Sequence, residues 1–174
     1  MKTNDAEINS SPVTDEDILY MKRALELARL AGERDEVPIG AVIVKDGEII
    51  AEAGNEREAS KCATHHAELL CIERACKRLG GWRIPSATLY VTLEPCSMCA
   101  GAIINSRIDR VVFGAHDIRF GALGSLVNLN ALGFNHSFAL LGGVLEDEAK
   151  ELLSSFFKKK RSGGKQSDAL KKTN

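Results

Sequence analysis

A chain of 174 residues with 44% hydrophobic and 27% charged residues is long enough for one domain with a real core. A formal net charge of -1 excludes a generally basic nucleic-acid binder, and no apolar run approaches the roughly 18 residues that a membrane-spanning helix needs. The start, MKTNDAEINSSPVTDED, is polar and acidic, with neither an apolar signal core nor an Arg-rich transit pattern, so a cytoplasmic protein with no membrane partner is expected.

In chain order, residues 1–13 read as a disordered lead-in. Thr14 and Asp17 have the spacing of a helix cap, and Ile18, Met21, Leu25, Ala28 and Leu30 follow at helical intervals, with Gly32 as a stop. Ile39–Val44 and Ile49–Ala53 flank Asp46-Gly47, which predicts a hairpin. A helix is expected from His66, with Thr64 as its cap, to Leu79, where Gly80-Gly81 end it. Ala87–Leu93 reads as a buried strand. Pro95 suits the first turn of a helix through Asn105, and Arg110–Ala115 reads as another strand. Gly121–Gly133 is loop or short helix, Ser137–Leu141 a last strand, and Glu146–Lys160 a helix with Leu152, Leu153, Phe156 and Phe157 inward. Strands alternating with helices after a hairpin imply an α/β layer fold with a mixed sheet. The folded domain is placed at 14–161, with a basic, disordered tail at 162–174.

Charge is unevenly spread. Residues 158–174 hold seven basic side chains (Lys158, Lys159, Lys160, Arg161, Lys165, Lys171, Lys172) against Asp168 alone, which leaves the rest of the chain acidic. Such a tail can hold a phosphate backbone locally, or serve only as a solvated segment.

The cysteines, at 62, 71, 76, 96 and 99, are odd in number and unevenly spaced, which does not suit a disulfide framework. Cys71 and Cys76 lie five apart in a predicted helix, so they point in different directions and suit packing. Cys96-x-x-Cys99 by itself fits a redox pair, half of a structural zinc site, or part of a catalytic one. Cys96 and Cys99 share a face on a first helical turn, where the helix N-terminus favours thiolate. His66 and Glu68 can share a site only if their helix begins at about His66, because i and i+2 face apart inside a helix. The order His-x-Glu then Pro-Cys-x-x-Cys is the signature of zinc deaminases: three ligands with an open position, and a glutamate that is not a ligand.

The stretches RALELA, EVPIGAVIV, HAELL, ATLYVTLEPCSMCAGAIINSRIDRVVFGA, GALGSL, FNH and LLSSFFKKKR resemble the bacterial tRNA adenosine deaminases from about Asp17 to Arg161. The bare zinc signature is shared with cytidine, deoxycytidylate, cytosine and guanine deaminases, whereas TLEPC-x-MC-x-GA and the FNH and FF segments are narrower. The resemblance implies a cytidine-deaminase-like three-layer α/β/α sandwich with a five-stranded mixed sheet. It also implies a homodimer, one zinc ion per chain and no organic cofactor, and conversion of adenosine to inosine at the wobble position of a tRNA anticodon stem-loop.

Residue by residue, the resemblance makes His66, Cys96 and Cys99 the metal ligands and Glu68 the catalytic acid and base. Asn55 matches an asparagine that contacts the target nucleoside, Asp117 an aspartate near the ribose, and Asn135 and His136 positions near the anticodon loop. Arg119, Phe120 and one of Phe156 and Phe157 have the chemistry to meet phosphate or stack on a base. One departure stands out: where the family usually reads Asp-Pro-Thr-Ala-His-Ala-Glu, this chain has Cys62-Ala63-Thr64-His65-His66-Ala67-Glu68. Two other functions fit the signature: deamination of a free base or nucleotide, and a non-catalytic zinc module that binds RNA.

Overall fold

The computed structural model describes residues 12–171, with side chains to residue 162; of the expected lead-in, residues 1–11 lie outside this range. The first helix, α1 (Asp15–Glu33), begins at the predicted cap. Asp17 N donates to Thr14 Oγ1 at 3.2 Å, and Thr14 N donates back to Asp17 Oδ2 at 3.1 Å. This is a capping box with aspartate in the place of glutamate. The buried stripe is Asp17, Met21, Ala24, Ala28 and Ala31, whereas Ile18, Leu25 and Leu30 are half-buried. The reason is close approach to the sheet: a Cβ on Gly40 would stand 2.1 Å from the Ala24 carbonyl oxygen. Only small α1 side chains fit there.

The hairpin forms as β1 (Gly40–Lys45) and β2 (Glu48–Gly54). Its turn residues, Asp46 and Gly47, have φ of 51° and 78°, the handedness that matches strand twist. A four-residue helix that the sequence did not announce, α2 (Arg57–Ser60), leads to α3 (Ala67–Leu79), which ends at Gly80 with φ 69°. Next come β3 (Ala87–Leu93), α4 (Ser97–Ser106), β4 (Arg110–Ala115), a 3-10 turn at Leu129–Ala131, β5 (Ala139–Leu141) and α5 (Glu146–Lys171).

The five strands form one sheet in the order β2-β1-β3-β4-β5, with β1 antiparallel to both its neighbours and β3, β4 and β5 parallel. Alternation along each strand divides two cores. Ala41, Ile43, Leu89, Val91, Val111 and Phe113 face α3 and α4, whereas Val42, Val44, Tyr90 and Val112 face α1. The three-layer mixed-sheet expectation is met. Because β3 and β4 are parallel, the segments after Leu93 and after Ala115 leave the sheet at the same end, where α/β sheets take their ligands.

Three expectations need correction. The helix α5 continues to Lys171, past its expected end at Lys160. Of the expected tail, residues 172–174 lie outside the described range. Phe157 does not point inward but is 38% exposed, with the half-buried Phe156 ring edge-on to it at 5.4 Å. Pro95 is not in the first turn of α4, because Cys96 is the cap residue and the helix starts at Ser97.

Candidate active site

At the carboxyl end of β3 and β4 lies a cavity of about 630 Å³, bordered by His66, Glu68, Cys96, Asp117, Phe120 and Phe157 among others. Two helix starts meet at its floor. His66 caps α3 with extended backbone, φ -73° and ψ 152°, and Cys96 caps α4 in the same conformation, φ -72° and ψ 173°. Thr64, the expected cap of α3, does not serve: its hydroxyl lies 3.2 Å from Cys62 Sγ. The helix is held from outside instead, as Ala67 N donates to Asn55 Oδ1 at 2.9 Å. Releasing His66 from the helix is what lets it share a site with Glu68 two residues on.

The ligand atoms of His66, Cys96 and Cys99 lie within 4.8 Å of one another, the only such cluster of His, Cys, Asp and Glu found among the described residues. His66 Nδ1 is 3.8 Å from Cys96 Sγ and 3.6 Å from Cys99 Sγ. Zinc bound tetrahedrally at about 2.3 Å to sulfur and 2.1 Å to nitrogen separates those atoms by about 3.6 Å. The donor set and its spacing therefore fit zinc. The electrostatics agree. A hydrogen bond from Cys99, then one from His66, holds the Cys96 thiol down at about 4 against burial. The same bond and burial push Cys99 up, and the Cys96 contact raises His66.

Glu68 is 3% exposed, and its Oε2 has no hydrogen-bond partner. Burial pushes its carboxyl above the ordinary range. A buried, unpartnered carboxylate oxygen is costly to the fold. It suits a group that trades protons with something that enters the cavity.

The other predicted residues divide. Asp117, Arg119 and Phe120 border the cavity from the segment after β4, and Phe157 borders it from α5. Asp117 Oδ1 accepts from Arg119 N at 2.9 Å and Phe120 N at 3.3 Å, so one carboxylate oxygen shapes its own turn. Asn55 is 2% exposed, and its carbonyl oxygen is spent on α3. Asn135 and His136 are not brought to the cavity: Asn135 accepts from Arg107 Nη1 at 2.9 Å, and His136 Nε2 bonds the Ile108 carbonyl at 2.7 Å. Cys71 and Cys76 pack, as expected, against backbone carbonyls of Ala41 and Trp82. The altered loop before His66 is turned by its own bonds, His65 N to Cys62 O at 3.2 Å and His66 N to Thr64 O at 2.8 Å.

Sequence reasoning missed Arg57, Glu94 and His116 at this cavity. Glu94 had a signal, an acid directly after an apolar strand. Arg57 had none. His116 is tied to Glu146 Oε1 at 3.0 Å, a contact between distant elements that no local pattern reveals.

Residues 15–161 match the sequence profile of the MafB19-like deaminases. Over 147 residues the chain is 54% identical to a tRNA-specific adenosine deaminase of Bacillus subtilis (strain 168), an alignment covering 84% of this chain and 91% of that protein. A solved structure from work on A-to-I editing by tRNA:A34 deaminases at the wobble position matches with a TM-score of 0.76 and 48% identity, over 78% of this chain and 99% of the other. A guanine deaminase from Nitrosomonas europaea matches at 0.71 but with 26% identity, over 90% and 93%. The chain belongs to the MafB19-like deaminase family and, within it, to the tRNA-specific adenosine deaminases.

Proposed function

We propose that this protein deaminates adenosine to inosine at the wobble position, 34, of a tRNA anticodon, by zinc-dependent hydrolysis. The observation that carries the chemistry is the unpartnered, buried oxygen of Glu68 beside the His66, Cys96 and Cys99 trio on the floor of an open cavity. His66, Cys96 and Cys99 would hold the zinc, which supplies a water acidic enough to act as nucleophile at neutral pH. Glu68 would accept a proton from the attacking water and deliver it to ring nitrogen N1 while the water oxygen adds at C6. It would then carry the proton of the new C6 hydroxyl to the amino group, so that the C6–N bond breaks, ammonia leaves and a C6 carbonyl remains. Burial that raises the Glu68 carboxyl brings it closer to the range in which it can both accept and donate at neutral pH.

The substrate reading rests on the cavity's rim. Phe120 and Phe157 offer ring faces for stacking, Arg119 offers a charge for phosphate, and Asp117 keeps one carboxylate oxygen free of the turn for a ribose hydroxyl. Asn55, whose carbonyl oxygen holds the start of α3, would turn its amide nitrogen to the nucleoside. An anticodon loop presents bases already splayed out, so extrusion costs less than from a duplex. Lys158, Lys159 and Arg161, which follow Phe157 on α5, are exposed and offer charge for the phosphates.

The working form is a homodimer. Exposed Leu126, Val127, Leu132 and Phe134 follow the cavity-bordering segment and give a second copy an apolar surface to cover. A monomeric mass in solution at assay concentration would remove the dimer.

The deciding experiment is mass analysis of nucleosides after incubating the zinc-loaded protein with an anticodon stem-loop carrying adenosine at position 34, with free cytidine, adenosine and guanine in the same tube. Inosine forming in the stem-loop alone is expected. Conversion of a free compound instead moves the protein to nucleotide salvage. Zinc bound with no conversion leaves an RNA-binding module.

A further inference from the structure

We propose that Glu94 is a positioning residue that clamps the segment Asp117–Ser125 onto the zinc-ligating cysteine turn, and so sets how firmly the RNA loop is held. The inference rests on the substrate reading above. Glu94 is 2% exposed, and its carboxylate collects four donors from that one segment. Its Oε2 accepts from Asp117 N at 3.0 Å and from the Ser125 hydroxyl. Its Oε1 accepts from Leu123 N and Ser125 N, both at 3.0 Å. None of these donors is a cation. Four donors are what a carboxylate's lone pairs can satisfy, so the group is saturated.

The clamp joins two working parts. Glu94 stands two residues before Cys96, and the same segment docks on that turn through Ala122 N to Pro95 O at 2.8 Å and a backbone bridge between Cys96 and Gly121. The fit leaves no slack. A Cβ on Gly121 would stand 2.4 Å from the Glu94 carboxyl carbon and 2.5 Å from the Asp117 carbonyl oxygen. The outer side of the segment carries Asp117, Arg119 and Phe120 to the cavity. On the opposite wall, Glu36, 1% exposed, does a smaller version of the same job. It accepts from Glu58 N at 3.1 Å and Ala59 N at 2.8 Å at the start of α2.

A residue that only stabilises the fold would lower the unfolding midpoint and leave kinetics intact. A residue that places the rim changes KM more than kcat, because the rim contacts are made alike in ground and transition state. The test uses the zinc-loaded full chain in three forms: wild type, Glu94→Gln and Ser125→Ala. Gln keeps the volume but turns an amino group towards backbone N–H donors. Steady-state kinetics on the stem-loop, zinc content and amide hydrogen exchange over residues 117–125 are read together. We expect Glu94→Gln to retain zinc, to raise KM about tenfold with kcat within about threefold, and to speed exchange in 117–125 about tenfold. Ser125→Ala, which removes one of four donors, should shift KM and exchange the same way by less. Unchanged KM and unchanged exchange overturn the proposal, as does a fall in kcat with KM intact, which would place Glu94 at the metal instead. If wild type leaves the stem-loop unconverted, the substrate reading falls, and unaltered exchange in Glu94→Gln still overturns the clamp. If Glu94→Gln fails to fold, Ser125→Ala decides on the same two readouts.

Discussion

Glu68 adds little to the folded chain, since its buried Oε2 has no hydrogen-bond partner and burial opposes its charge beside His66, Cys96 and Cys99. Substituting it therefore separates fold from chemistry. Glu68→Ala should keep zinc and thermal midpoint close to wild type while turnover of the stem-loop falls at least about a hundredfold, as loss of a general acid and base requires. Mass analysis of inosine and metal analysis of the same sample check both halves. Asp117 needs a subtler change. Its Oδ1 holds the turn to Arg119 and Phe120, which Asn can also do. Asp117→Asn should leave the segment in place yet narrow the preference for ribose over deoxyribose at the target nucleotide by up to about tenfold, measured on paired stem-loops. The metal trio was legible at this scale because order and spacing announce it. The commitment of Asn55 to Ala67 N was not, because a hydrogen bond between residues twelve apart leaves no periodic trace.

At the scale of elements, α1 is fixed to the sheet by a charge. Asp17 is fully buried, and Arg110 from β4 grips it with bonds of 2.6 and 3.0 Å while Tyr90 donates at 3.1 Å. Burial works to raise the Asp17 carboxyl, but Arg110 and the Thr14 cap outweigh it and bring it to about 2. The folded value lies below the unfolded one. The network's contribution is thus complete above about pH 4 and is lost as pH falls towards 2, on the order of 2 kcal/mol. Urea midpoints measured across that range should fall with acid, and Asp17→Asn should flatten the slope. The helix periods, the Asp46-Gly47 turn and the three apolar strands were all legible, because each rests on local propensity and alternation. The start of α3 was displaced by one residue and its cap by two. Both follow from a tertiary contact, Asn55, overriding the local preference for Thr64.

For the whole molecule, the metal trio ties α3 to α4 across the cavity floor, so zinc should stabilise the fold as well as the reaction. A ligand present at a thousandfold over its Kd contributes about 4 kcal/mol. Stripping the metal with a chelator should therefore lower the melting temperature by several degrees, and adding zinc back should restore it. An unchanged melting curve would mean that the three side chains hold no ion in the native state.

The sequence by itself determined the chemistry: ligand identities, their order, and an acid two residues from a histidine survive any detail of packing. It also determined the elements, since periodicity is a local property. Only the tertiary structure decided which residues reach the cavity. Asn135 and His136 do not border it, and bond instead to Arg107 and to the Ile108 carbonyl. Phe157 turned from the core to the rim. Glu94 and Glu36 became the supports of two walls. Such roles depend on where parallel strands end and which backbone donors gather there, and distance along the chain carries no record of either.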